Sequence, residues 1–425
     1  MLQLIKGGIY LIIKNVKYAF NDINNKIPSD KNADILIKNG IITCIQETDS
    51  EIYLNTEVLD GEGFYILPSF IDLHSHLREP GFTHKETILT GSYAALNGGF
   101  SAVLPMANTK PVIDTPELVE WLLEQNSFIT LLPAAAVTVG QQGRELTDFK
   151  ALKAAGAVAV SDDGFPVDNF EIMEEAMKQA EKNKLLLVSH CEVRSIIEDR
   201  LNIPDETEYL MVKRDCELAK KLNTRVHIAH VSTKESVNII RKAKSEGVRV
   251  SCETCPHYFS LTKDDFNKIG TNALMNPPLR YEEDVLAIIE GLKDGTIDII
   301  STDHAPHSKE EKALPPQKAP FGIIGFETAF SVAYTYLVKA GHISLESLID
   351  IMSKKPASII GIPENSLKVG CNANFVLADL ENEFEYKAEE SLSKSKNTPY
   401  DKKKLYGKIK YNIINGVVNK CQQIY

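Results

Sequence analysis

Between residues 64 and 307 the chain alternates short, almost uniformly apolar runs with longer stretches whose apolar residues recur every three or four positions. The apolar runs are FYILPSFIDLHSH, FSAVLPM, FITLLPAAAVT, AVAVSDDG, LLLVSHCE, RVHIAHVST, VRVSCETCPHY and IDIISTDHAPH. They are rich in β-branched residues and read as eight strands. Uniform apolarity, in place of alternation, marks strands covered on both faces, as in a parallel sheet. Between them, TPELVEWLLEQN, NFEIMEEAMKQAEKNK, ETEYLMVKRDCELAKKLN and TKESVNIIRKAKSEG read as amphipathic helices, the last closing on Gly247 after basic residues. Repeated β-then-α units over about 250 residues predict an α/β fold of the (β/α)8 TIM-barrel type, not an open sheet.

The texture changes on either side. Residues 1–63 and 365–425 hold short strand-like pieces, among them ADILIKNGIITCI, ANFVLADL and IKYNIINGVV, separated by Asn, Gly and charged residues. They are expected to form the N-terminal (1–63) and C-terminal (365–425) parts of a small β-sandwich beside a barrel at 64–364. The segment HSKEEKALPPQKAPFG, 307–322, is rich in Lys, Glu and Pro and reads as a long loop after the eighth strand, a place suited to an active-site lid. The run GGIYLIIKNVKYAF is interrupted by Lys14 and Lys17 and lacks a small-residue cleavage site, so it reads as a strand and not as a signal peptide.

Composition narrows the function. The 425 residues, 43% hydrophobic and 25% charged, are ordinary for a globular protein and enough to bury a large core. No apolar run approaches the roughly 18 residues of a membrane span. The net charge of −11 repels polyanions, and the basic residues are scattered, which argues against nucleic-acid binding. One or two local arginines can still meet an anionic small molecule. Seven cysteines without regular spacing argue against a disulfide framework and for a reducing, cytoplasmic location. Cys252 and Cys255 form a lone C-x-x-C, read as buried thiols because no second pair completes a zinc knuckle.

The strand ends carry the chemistry. In DLHSHLREPG, His74 and His76 are i and i+2 on a strand and face one way, near the C-terminal rim where such barrels keep their sites. Asp162 and Asp163 end the fourth run, His190 the fifth, His230 the sixth and Asp303 the eighth. Four histidines and two or three carboxylates exceed one tetrahedral site and suit two divalent metals sharing a carboxylate. Buried carboxylates without a cation are costly, which argues against coincidence. His227 and His304 are expected to point away from their neighbouring ligands, and His84 and His342 read as surface or core residues. His307 sits on the loop above the rim, within reach of a ligand.

These features resemble the amidohydrolase superfamily. Within it, HSHLREPG, NTKP, SDDG, SHCE, AHVSTKES, MNPPLR, GTIDIISTDHAPH, KAPFGIIGFETAF and SKSKNTPY closely resemble the dihydroorotase family in its type I bacterial class. The resemblance implies a zinc-dependent hydrolase that reversibly opens the cyclic amide of (S)-dihydroorotate to N-carbamoyl-L-aspartate in pyrimidine biosynthesis. It implies two zinc ions, one on His74 and His76, the other on His190 and His230, with Asp303 completing the first site and handling protons. Family spacing favours Asp163 as the bridging ligand, with Asp162 as the fallback. Arg78, Asn108, Asn276 and His307 would hold the substrate's carboxylate, since a guanidinium meets a carboxylate through two parallel hydrogen bonds. An ion pair with Glu79 or Glu86 is the structural alternative for Arg78.

A homo-oligomer is expected, and association with aspartate transcarbamoylase is left open. The chain departs from the family pattern at Ala107, where proline is usual, at Ser69, where glycine is usual, and in a shorter connection from His190 to His230. Two rival readings stand beside this one. Another cyclic amidase, such as an allantoinase or dihydropyrimidinase, would share the metals without needing an Arg78 clamp. A metal-free scaffold would have lost the His-x-His or Asp303, and both are present.

Overall fold

The computed structural model describes residues 10–18, 31–48 and 57–421; the ends of the expected N-terminal strand and parts of both terminal segments lie outside the described residues. Eight parallel strand positions form the barrel: Phe70–Ser75, Phe100–Pro105, Thr130–Leu131 with Ala134–Ala135, Ala159–Val160, Leu186–Ser189, Val226–Ile228, Val250–Thr254 and Ile299–Ile300. The third is broken around Pro133, which lacks an N–H, yet the Pro133 carbonyl still accepts from Val158 N at 2.9 Å and so carries the ladder across the break. Closure comes from a parallel bridge between Ser75 and His304, with His76 N donating to His304 O at 2.8 Å.

Alternate strand residues, including Ile71, Leu73, Leu104, Ala134, Ala159, Val188 and Ile299, pack together in one cluster. Their neighbours, such as Val103, Val160, Leu187, Ile228 and Ile300, pack with the surrounding helices in another. The helices obey the same logic: Lys234–Ser245 starts on the Thr233 cap and buries Val237, Ile240 and Ala243, while Phe170–Asn183 starts on Asn169, whose side chain accepts from Ile172 N at 2.9 Å.

The terminal segments share one sheet. Its order is Val417–Lys420, Lys408–Ile414, Phe375–Asp379, Tyr65–Pro68, Tyr10–Tyr18, Asn32–Lys38 and Ile41–Glu47, with Glu57–Asp60 also beside Tyr10–Tyr18. The two ends meet where Phe375–Asp379 runs antiparallel to Tyr65–Pro68, over an apolar layer of Ile13, Ile35, Ile66, Phe375, Leu377 and Ile413. The run FYILPSFIDLHSH is therefore two strands, one in each sheet, divided at Ser69. Ser69 donates to Asn412 Oδ1 at 3.0 Å, and its carbonyl accepts from Ser353 Oγ and Asn365 Nδ2, both at 2.8 Å. A glycine there would lose the first of these ties between barrel and sheet.

The loop after the eighth strand contains one short helix, Lys309–Lys312, opened by a Ser308 capping box. Lys312 is buried, and its ammonium donates to the carbonyls of Leu274 at 3.1 Å and of Pro320 and Gly322 at 3.0 Å each. Arg200 reaches the carbonyls of Pro316 and Ala319, both at 2.9 Å. The loop is thereby docked on the C-terminal rim. Among the described residues no helix is long and apolar enough to cross a membrane.

Candidate metal centre and substrate cavity

The first barrel ladder shifts register between Asp72 and Ser75. Strict alternation would put both His74 and His76 on the face opposite Ile71 and Leu73; the irregularity lets the pair face the centre of the rim instead. Asp163 stands between the histidines. Its Oδ1 lies 3.4 Å from His74 Nε2, 3.3 Å from His190 Nδ1 and 3.5 Å from His230 Nε2, and its Oδ2 lies 3.5 Å from His76 Nε2. Asp303 Oδ1 is 3.0 Å from His76 Nε2 and 3.7 Å from His74 Nε2. All six side chains are buried. Asp162 turns the other way and caps the loop after the third strand, accepting from Val137 N at 2.8 Å, Thr138 N at 3.2 Å and the Thr138 hydroxyl. Burial pushes its carboxyl up to about 6.

The residues fit a divalent cation. Ligating atoms of His74, His76 and Asp303, and of His74, Asp163 and His230, lie within 4.8 Å of one another. His74 Nε2 and Asp163 Oδ1 are buried without a hydrogen-bond partner among the described residues. Unpaired polar atoms of this kind are expensive to bury, and a cation between them removes the penalty. Burial acts to raise the Asp163 carboxyl, but His74, His190 and His230 outweigh it and hold it well below the usual carboxylate range. Imidazole and carboxylate donors of this kind suit zinc and its divalent neighbours.

A supporting layer lies beneath the ligands. Glu253, fully buried between the two cysteines of the C-x-x-C, contacts His74 Nδ1 at 2.6 Å through Oε1, and His227 Nε2 at 3.2 Å and Ser301 Oγ at 2.5 Å through Oε2. Such a carboxylate fixes the tautomer and ring orientation of a metal-binding imidazole. Asn108 joins two ligands: its Oδ1 is 2.9 Å from His76 Nδ1, and its Nδ2 donates to Asp163 Oδ2 at 3.3 Å. His304 points away from the cluster, stacked on Phe326 at 4.0 Å with Nε2 3.4 Å from Glu86. His257, a residue the strand-end argument does not reach, is also buried at this rim and is lowered to about 4 by desolvation, so its ring is neutral.

Above the cluster a cavity of about 480 Å³ is lined by His76, Arg78, Asn108, Asp163, His190, Glu192, His230, Asn276, Asp303 and His307. That volume suits a small molecule. Every residue of the sequence-derived site except His74, which lies below, thus faces one space. Arg78 pairs with neither Glu79, which accepts from Ile88 N, nor Glu86, which is taken by Thr90, Ser393 and His304. Instead Arg78 Nε donates to Pro306 O at 3.2 Å and its guanidinium NH2 lies 3.3 Å from His307 Nε2. Burial lowers Arg78 only to about 10, so it stays cationic, while burial and the cations Arg78 and Lys85 push His307 far down and keep it neutral. Glu192, missed as a site residue although it lies two positions past His190, holds Asn276 Nδ2 at 2.7 Å.

Three rim residues have left-handed backbone: Arg78 at φ 61°, His230 at 34° and Asp303 at 45°. Non-glycine residues adopt such angles where the surrounding structure imposes them, commonly at functional sites.

A family model described as Dihydro-orotase-like matches residues 63–236. The chain is 44% identical over 406 residues to the Dihydroorotase of Caldanaerobacter subterraneus subsp. tengcongensis, covering 92% of this chain and 93% of that protein. It is 45% identical over 385 residues to the Dihydroorotase of Bacillus subtilis (strain 168), covering 87% and 90%. Among solved structures, L-hydantoinase (dihydropyrimidinase) from Arthrobacter aurescens superposes with a TM-score of 0.86 at 25% identity over 98% of this chain and 97% of that one. Dihydropyrimidinase from Brevibacillus agri NCHU1002 gives 0.84 at 21% over 98% and 96%, a likeness of fold.

Proposed function

The chain belongs to the dihydroorotase family, and from that membership we propose that it is a metal-dependent dihydroorotase, interconverting dihydroorotate and N-carbamoyl-L-aspartate. The observation that carries the reading is one cavity with Asp163 among the imidazoles of His76, His190 and His230 on its floor, His74 beneath them, and the cationic Arg78 on its wall. The floor suits hydrolysis of an unactivated amide, and the wall suits a substrate with a carboxylate. Allantoin and dihydrouracil carry none.

In this proposal His74, His76 and Asp303 would hold one divalent ion, taken as zinc, and His190 and His230 a second, with Asp163 available to both. Divalent ions held there would supply Lewis acidity toward an amide carbonyl and toward water near neutral pH. Arg78 meets the substrate carboxylate with its guanidinium fork, and His307 and Asn276 complete the contacts from the loops. Asn108 orients His76 and Asp163 from beside the ring. Asp303 has Oδ1 on His76, which leaves Oδ2 to take the proton of the attacking water. It then returns that proton to the ring nitrogen as the carbon–nitrogen bond breaks, releasing carboxylate and carbamoyl groups. Ring closure uses the same groups in reverse.

The test is loss of dihydroorotate absorbance with zinc-loaded protein, chelator-treated protein and an Asp303→Asn variant, with allantoin and dihydrouracil as alternative substrates. Turnover of dihydroorotate that requires metal and Asp303 is expected. Preference for either neutral substrate, or turnover surviving in the variant, overturns the proposal.

A further inference from the structure

Glu192 is buried on the cavity wall, and its two oxygens point at different elements. Oε1 is 2.7 Å from Asn276 Nδ2, on the loop after the seventh strand. Oε2 accepts from Arg194 Nε at 3.2 Å and lies 3.7 Å from His190 Nε2. Arg194 in turn donates to Gly164 O, beside Asp163, and lies over the Phe165 ring at 5.2 Å. Flanked by two N–H donors, Arg194 Nε and Asn276 Nδ2, Glu192 acts as a carboxylate acceptor at both oxygens. The contact with Asn276 therefore has to be made by Nδ2, and this fixes which end of the amide is which. One N–H of Asn276 is committed to the protein, and Oδ1, an acceptor, is turned away from Glu192.

Resting on the reading of Asn276 as a substrate-binding residue, we propose that Glu192 is a positioning residue. It holds the Asn276 amide in the orientation that presents Oδ1 to a substrate N–H, while Arg78 takes the carboxylate. A freely rotating Asn276 would spend part of its time offering a donor where the substrate also has a donor. The effect belongs to substrate binding and not to metal retention, because the contact with Asn276 is short and the approach to His190 is long.

The test is a double-mutant cycle in the zinc-loaded enzyme, with KM, kcat and bound zinc measured for wild type, Glu192→Ala, Asn276→Ala and the double variant. Glu192→Ala is expected to raise KM for dihydroorotate roughly tenfold, about the worth of one hydrogen bond to a charged group, with kcat and zinc content little changed. The double variant should be no worse than Asn276→Ala alone. Glu192→Gln keeps an oxygen opposite Nδ2 and should hold KM within about threefold of wild type, well short of the loss of a charged-group hydrogen bond. This variant decides the matter if Glu192→Ala does not fold. Additive effects, loss of zinc with unchanged KM, or a Glu192→Gln variant as impaired as Asn276→Ala would overturn the proposal. If Asn276→Ala itself leaves KM unchanged, the fault lies in the assignment of Asn276 to the substrate.

Discussion

Replacing Arg78 by methionine tests the carboxylate clamp most directly. Arg78 Nε is occupied by Pro306 O and one terminal nitrogen lies 3.3 Å from His307 Nε2, which leaves the other terminal nitrogen and the second N–H of the first for a ligand. Hydrogen bonds to charged groups contribute about 1.5–3 kcal/mol each. Two of them at the lower end, in a cavity that water enters, come to about 3–4 kcal/mol, or roughly 10²–10³-fold in kcat/KM. Removing the side chain also removes the bond to Pro306 O, about 1 kcal/mol of stability, which thermal unfolding would register separately. The assay is dihydroorotate consumption by zinc-saturated Arg78→Met enzyme, run beside dihydrouracil, which has the same ring and no carboxylate. Wild type should turn dihydrouracil over poorly, and the variant should lose little further on it. A loss below about tenfold on dihydroorotate, less than one charged hydrogen bond predicts, would refute the clamp. So would equal losses on both substrates, because Arg78 would then be acting through the protein. Arg78→Lys, which keeps the charge but not the fork, should fall between the two.

Three further outcomes follow from the geometry. Asp163→Asn should lose most of its bound metal and its turnover, whereas Asp162→Asn should keep the metal and lose about 1–3 kcal/mol of stability through its cap on Val137 and Thr138, as read by metal analysis and denaturant unfolding. Glu253→Gln should weaken metal binding about 10–100-fold in chelator competition, and unchanged affinity would show that His74 needs no carboxylate behind it. Burial lowers Lys312 from the ordinary 10.5 to about 7, so between these values the unfolded chain binds more protons than the folded one. This group therefore makes stability rise with pH across that window, its penalty being full below 7. The stability difference between wild type and Lys312→Met should shift toward wild type as pH is raised from about 7 to 10, and a flat difference would contradict the assignment.

The barrel is legible in the chain because parallel strands buried on both faces need apolar residues throughout, and the runs between residues 64 and 307 supply them. The same property hides where a run changes sheet. FYILPSFIDLHSH is apolar on both sides of Ser69, and both halves are buried, so only the partners of Ser69 reveal the division. Strand ends are equally legible as ligand positions, and the i, i+2 rule that pairs His74 with His76 also pairs His190 with Glu192. The task of Glu192 is not legible, because Asn276 lies 84 residues further on. Glu253 is harder still. It sits inside a C-x-x-C that draws attention to its cysteines, and its partner His227 is out of phase with His230. The choice between Asp162 and Asp163 rests on the third strand: Val137 and Thr138 need an acceptor, and Asp162 is the carboxylate that reaches them.

The strained backbone at the rim follows from how the barrel ends. Arg78, His230 and Asp303 each lie a few residues past a buried strand, where the ladder stops and side chains must turn toward one point. Left-handed φ at such residues costs about 1–3 kcal/mol each, and it persists only where neighbouring backbone is pinned. Around Asp303 the pins are plain: Thr302 N and Oγ1 bind the Asp72 carboxylate at 2.8 and 2.7 Å, His76 N binds His304 O at 2.8 Å, and Ala305 N binds Ile323 O at 2.7 Å. Asp72 is fully buried, and burial pushes its carboxyl up to about 7 despite both Thr302 bonds. A polar group so unfavourably placed is better explained by what it holds than by its own contribution to stability. It fixes the segment from which Asp303 projects, so the site's geometry is maintained by interactions that the barrel's apolar core makes affordable.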